Sequence, residues 1–234
     1  MNALWSSLHS MGPLLRCLPS DTWKAEEVGG VANWRITIKI IRAPSLDGWA
    51  RFFANSARVK KLDLDIGAAG DPSVAQLRTL RMYMPPSSSP FSGLRSLVLR
   101  RVVVAAVAYI PIFLNPRLEV FSMLDPDSDV LCSTLGFLGD QCSGLRELAI
   151  SGWVAEAVTL IPHFKNLRKI ASTMPLNTST IISHVATSTY LTCLNAVAPR
   201  MVGPHNFLPF LERHVKARRQ LSARVSAHTG YIAE

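Results

Sequence analysis

A chain of 234 residues with 48% apolar and 18% charged side chains is long enough for one sizeable core and is too apolar to be disordered. Its longest nearly uncharged apolar run, Val102 to Leu114, falls short of the roughly 20 residues that span a bilayer and reads as a core helix. The formal net charge of +9 keeps nucleic acid and acidic proteins in view as partners.

Met1 to Pro19 reads as an apolar helical segment, with Leu4, Trp5, Leu8 and Leu15 free to pack. Without the basic start of a secretory signal, the chain is expected in the cytoplasm or nucleus. There Cys17, Cys132, Cys142 and Cys193, which show no metal-like spacing, stay buried thiols. Gly29-Gly30 separates this segment from Ile36 to Ile40, whose alternation predicts the first strand of the sheet with Ile36, Ile38 and Ile40 inward. Ser45 then opens a helix as N-cap, and Trp49, Phe52 and Phe53 recur at the spacing of one buried helical face.

From Val59 a hexamer of the form apolar-x-x-apolar-x-apolar returns. Val59-Lys-Lys-Leu-Asp-Leu64, Leu77-Arg-Thr-Leu-Arg-Met82, Leu94-Arg-Ser-Leu-Val-Leu99, Leu118-Glu-Val-Phe-Ser-Met123 and Leu145-Arg-Glu-Leu-Ala-Ile150 are clear copies. Leu167-Arg-Lys-Ile-Ala-Ser172 and Leu191-Thr-Cys-Leu-Asn-Ala196 are degenerate ones. By subtraction, the first positions are 18, 17, 24, 27, 22 and 24 residues apart. Most of these steps match the roughly 20–29-residue period of leucine-rich repeats, and the first two are compressed. The last four positions alternate, as in a strand with one face in the core. One coil cannot bury that face alone, so neighbouring coils must supply the partner surface, each buried Leu or Ile contributing roughly 1.5–3 kcal/mol.

Between the copies, Pro85 to Pro90 reads as a loop, while Val103 to Phe113, Ser128 to Leu138, Val154 to Ile161 and Ser179 to Val185 read as helical. The predicted fold is therefore α/β, a leucine-rich-repeat solenoid with a curved parallel sheet on the concave face and helices or loops on the convex one. Beyond Met201 the pattern stops, and Phe207 to Val215 offers an apolar helix face that caps the last coil.

Catalytic chemistry finds no foothold. There is no nucleophile elbow, no phosphate-binding Gly-rich loop and no His-Glu-x-x-His, so neither enzyme activity nor a cofactor or metal is expected. Asp125-Pro-Asp-Ser-Asp129 lacks the central Gly and distal Glu of a calcium loop and reads as a turn that starts a helix. The outward positions of the concave face are the candidate partner contacts: Lys61, Asp63, Asp65, Thr79, Arg81, Tyr83, Val98, Arg100, Glu147, Ser151 and Lys169, with Arg81 and Tyr83 leading. Much of the basic excess sits at the second hexamer position, in Lys60, Arg78, Arg95, Arg146 and Arg168, where a long side chain lies along the coil edge. A second basic cluster, Arg213, Lys216, Arg218, Arg219 and Arg224, offers the alternative reading of nucleic-acid binding, with affinity falling steeply with salt.

Leu4-Trp5, Leu15-Arg-Cys-Leu18, Trp49-Ala-Arg-Phe52, Arg58-Val-Lys-Lys-Leu62 and the later hexamers resemble the F-box/leucine-rich-repeat proteins of mushroom-forming fungi. The resemblance covers roughly residues 1–200. It implies a repeat domain that recruits a protein substrate, beside an F-box that docks on the adaptor of a cullin-RING ubiquitin ligase. No F-box helices precede Leu4-Trp5 here, so a ligase adaptor is expected only where an F-box is supplied elsewhere, and a family remnant without independent function stays an alternative. The domain reading is residues 1–30 as a helical cap or the remnant of the segment after an F-box, 31–200 as the repeat region, and 201–234 as a helical cap and basic tail. A protein partner on the concave face is expected, with nucleic acid disfavoured and no membrane.

Overall fold

The computed structural model describes residues 5–28, 35–66, 72–86, 88–172, 193–196 and 222–225. In chain order, β1 (Ser7–Leu8) and the single-turn helix α1 (Gly12–Leu15) come first, then β2 (Trp23–Val28), β3 (Arg35–Ile40) and α2 (Leu46–Ser56). β4 (Lys61–Asp65), α3 (Val74–Tyr83), β5 (Ser96–Arg100) and a 3-10 segment (Val104–Phe113) follow. β6 (Val120–Leu124), α4 (Ser128–Gln141), β7 (Glu147–Ile150), α5 (Ala155–Val158) and β8 (Lys169–Ser172) lead on to β9 (Cys193–Ala196) and β10 (Ser222–Val225). All strands but β2 and β3 form one parallel sheet in the order β1-β4-β5-β6-β7-β8-β9-β10, so strands that follow one another in the chain lie side by side.

The hexamer sets the register. Leu8, Leu62, Leu97, Phe121, Leu148 and Ile170 stand opposite one another across successive strands, and the backbone row continues to Leu194. Leu64, Leu99, Met123, Ile150 and Ser172 form the next row on the same side. Every side chain described in these two rows is buried. The connecting segments cover that side in chain order, α3 beside the 3-10 segment, that segment beside α4, and α4 beside α5. Leu131, Leu135 and Leu138 of α4 and Trp49 and Phe52 of α2 supply the opposing apolar layer. On α2, the Ser45 hydroxyl accepts the Gly48 N–H at 3.1 Å, and the Trp49 ring meets Phe52 edge-on and stacks on Phe53. Both the cap and the aromatic core face are as the sequence predicts.

Several elements differ from expectation, each for a physical reason. Leu77 to Met82 is helix α3 and not a strand. Ser73 closes a capping box with Gln76, and Leu77, Leu80 and Met84 are buried at helical spacing while Met82 is exposed. The steps of 18 and 17 residues are thus two halves of a single 35-residue connection, from Val59 to Leu94. The strand at Ile36 to Ile40 is outside the parallel sheet: it pairs antiparallel with Trp23–Val28, and its Ile38 and Ile40 are buried near α1 and α3.

The amino-terminal segment holds a two-residue strand and one helical turn where a longer helix was expected, with Leu8 buried as the first rung. Val104–Phe113 winds as a 3-10 helix that contains Pro111, which has no N–H to give an α-helical ladder. Within 201–234, expected to be a helical cap and basic tail, Ser222–Val225 is a strand parallel to β9. The predicted helices at Ser179 to Val185 and Phe207 to Val215 lie outside the described residues.

Candidate interaction surface

The two faces of the sheet are unlike. Side chains that alternate with the buried rows point to the opposite side, where no described element covers them. Register places Lys61, Ser96, Val120, Glu147 and Lys169 in one cross-strand row and Asp63, Val98, Ser122, Ala149 and Ala171 in the next. Asp65, Arg100 and Leu124 begin a third. All of these are half-buried or exposed.

Charge on this face is paired across strands. Arg100 grips Asp63 through two hydrogen bonds of 2.8 and 2.9 Å, and Arg101 makes the same two-pronged contact with Asp65. His9 reaches Asp63 from the first rung at 3.7 Å. Hydrogen bonding from Arg100 holds the Asp63 carboxyl below the usual carboxylate range, with burial opposing and the neighbouring cations adding. Toward the other end, Lys169 Nζ sits 2.9 Å from Glu147 Oε2 on the facing strand. Between these paired charges Val98, Val120, Leu124 and Ala149 surround Ser122, which shares its cross-strand row with Val98 and Ala149. A largely apolar middle flanked by charged pairs has the anatomy of a protein-binding patch.

Of the predicted contacts, Lys61, Asp63, Asp65, Val98, Arg100, Glu147 and Lys169 are brought together on this face. Thr79, Arg81 and Tyr83 are not, because they belong to helix α3 in the layer behind the sheet. Ser151 is buried rather than outward, and its hydroxyl accepts the Asp125 N–H at 2.6 Å. That bond steadies the turn after β6, where Asp125 has a φ of 53°. Val120, Ser122, Leu124 and Ala149 were missed, although the third and fifth positions of the same hexamer point to three of them.

A different side of the sheet carries the basic residues. The turns leading into the strands present Arg58, Lys60, Arg95, Arg117, Arg146, Lys165 and Arg168, all exposed, against one acidic residue, Glu119. Arg95 pairs with Glu119 at 2.5 Å. Arg78, also expected on this edge, is on α3. Arg213, Lys216, Arg218 and Arg219 lie outside the described residues, and Arg224 is described only as backbone of β10.

Reactive groups are sparse among the described residues. Burial pushes the Cys142 thiol up to about 11, so it is protonated at neutral pH. The described cysteines 17, 132 and 142 are free thiols, and no described His, Cys, Asp or Glu cluster has the makings of a metal site. No described helix is long and apolar enough to cross a membrane. Scanned against protein-family models and compared with curated proteins, the chain matches none.

Proposed function

We propose that this chain is a non-enzymatic protein-interaction module, a leucine-rich-repeat solenoid that takes a protein partner on its uncovered strand face. That is the role of the substrate-recognition repeats in the F-box-type receptors it resembles. Support for the repeat reading comes from the register, in which five hexamers from Val59 to Ser172 place the same position on each successive rung. The observation that carries the functional reading is the face itself. Val98, Val120, Leu124 and Ala149 stand half-buried on three adjacent strands, β5 to β7, with no described element above them, and ion pairs border them on both sides. A patch of this kind gains most of its binding energy where apolar side chains are desolvated at the centre.

The test is Val120→Asp combined with Leu124→Asp, two outward changes that leave the core intact. Affinity capture with quantitative mass spectrometry should lose the partners recovered with the wild-type chain, while the melting temperature stays within a few degrees. Arg81→Ala/Tyr83→Ala, on the helix layer, should recover the wild-type set. If the strand-face pair of substitutions recovers the same proteins in the same amounts, the strand face is not where partners bind.

A further inference from the structure

The geometry points to a second docking surface, the rim formed by the turns that lead into the strands, and to an acidic, Asp/Glu-rich polypeptide segment as its occupant. The rim is built by the backbone. The Lys60 carbonyl accepts the N–H groups of Arg95 and Ser96, and the Arg95 carbonyl accepts those of Glu119 and Val120. Glu119 does the same for Arg146 and Glu147, and Arg146 for Arg168 and Lys169, each bond 2.8 to 3.0 Å long. The second hexamer position is thereby clamped rung to rung, so Lys60, Arg95, Glu119, Arg146 and Arg168 rise from equivalent points along one edge.

Adjacent strands are about 4.8 Å apart, so this ladder spans roughly 19 Å over its four steps. An extended peptide advances about 3.3 Å per residue, and about six residues cover that length. Arg117 and Lys165 flank the ladder from the same turns, Glu119 is the only acid on it, and the exposed Asp140 at the end of α4 lies on the same side. At the opposite ends of the strands the balance reverses, with Asp65, Asp125, Asp127, Asp129 and Glu156 against Arg100 and Arg101. An acidic segment is drawn to one edge and repelled from the other, which fixes where it lands.

Single-stranded nucleic acid fits less well. It is held by aromatic side chains on which bases stack; of the aromatics in these turns, Phe91 and Phe164 are buried in the core, and Trp5, before β1, is half-buried against it. The rim is distinct from the uncovered strand face, and its occupancy does not depend on what that face binds.

The experiment titrates the full chain into a fluorescein-labelled hexaglutamate peptide at about 50 mM salt and follows anisotropy, with oligothymidylate of equal charge in parallel. Saturable peptide binding is expected, weakened at least about tenfold by Lys60→Gln/Arg146→Gln/Arg168→Gln. Lys24→Gln/Lys39→Gln on the β2–β3 hairpin and Arg218→Gln/Arg219→Gln in the tail should leave it within about twofold. Urea unfolding of each variant establishes that it is folded. Should the triple variant not fold, Lys60→Gln and Arg146→Gln singly must each weaken the peptide more than either control. The proposal is overturned by no saturable peptide binding, by a control that weakens it as much as the rim variants, or by tighter binding of oligothymidylate.

Discussion

Asn115 offers a direct test of how successive strands and their connections are held together. It is 4% exposed, in the turn between the 3-10 segment and β6. Its amide donates to the carbonyls of Phe91 and Leu94 in the preceding turn at 2.9 and 3.3 Å, and its side-chain oxygen accepts the Arg117 N–H at 2.8 Å. The Phe91 carbonyl keeps a second donor, the Leu94 N–H at 3.0 Å, and Arg117 is exposed enough for water to take over. The Leu94 carbonyl has no other described donor. Asn115→Ala therefore removes three bonds with a net value of about 0.5–1.5 kcal/mol each, partly recovered at Arg117, and strands one buried acceptor at about 1–3 kcal/mol. The expected loss is about 2–6 kcal/mol by urea unfolding at constant m-value. Asn115→Asp keeps the acceptor but faces two carbonyls with a carboxylate, and should cost at least as much near neutral pH. Asn166→Ala, whose amide reaches the Ser143 carbonyl on the exposed rim at 2.7 Å, should cost under about 1 kcal/mol. Equal small losses for Asn115→Ala and Asn166→Ala would refute the claim that Asn115 links the turn before β6 to the turn before β5.

Leu148→Ala should cost about 2–5 kcal/mol as a truncation in the buried row, whereas Glu147→Ala beside it loses only an exposed pair with Lys169 and should cost under about 1 kcal/mol; matched urea midpoints would reverse the assignment of the two faces. Gly93 and Gly136 should respond with opposite signs. A Cβ on Gly93 falls on the Ala57 carbonyl oxygen of the previous turn, so Gly93→Ala should destabilise, while Gly136 in α4 has open space and Gly136→Ala should gain up to about 1 kcal/mol by thermal or urea unfolding. The Asp63 carboxyl, depressed by Arg100, is more acidic in the folded chain than in the unfolded one. Its contribution is full above the ordinary carboxylate value of about 4 and is lost as pH falls through the lower folded value. The stability gap between wild type and Arg100→Ala, followed by urea unfolding from about pH 6 to pH 3, should therefore narrow on the acid side.

Most of the parallel sheet was legible because its rungs repeat one short pattern whose alternation has a single physical meaning in a strand. The exception shows the limit of that pattern. Apolar residues at first and fourth positions, such as Leu77 and Leu80, suit a strand hexamer and a helix face alike. The arbiters at Leu77 to Met82 were Ser73 and Gln76 upstream and Met84 downstream, all outside the hexamer window. That one ambiguity moved Thr79, Arg81 and Tyr83 onto the wrong face.

The β3 strand was legible from its alternation, but its partner was not, since Trp-Lys-Ala-Glu-Glu-Val has no clear inward set. Ser151 was misplaced because alternation says nothing about a hydroxyl drawn inward to accept the Asp125 N–H of the preceding turn. The rim is the reverse case. Its residues repeat visibly in the sequence, and only the carbonyl ladder shows that they share one edge.

From β5 onward each strand is laced only to the strands before and after it in the chain, which has a mechanical corollary. A load drawn between the two ends of the sheet runs across the strands and meets their bonds one ladder at a time, as in tearing perforated paper, rather than shearing many at once. Paired positions are between 22 residues apart (Glu147 and Lys169) and 35 apart (Lys61 and Ser96). Each tear would let out on the order of 75–120 Å of slack. Such a chain yields early and in small instalments, giving under tension long before it gives way.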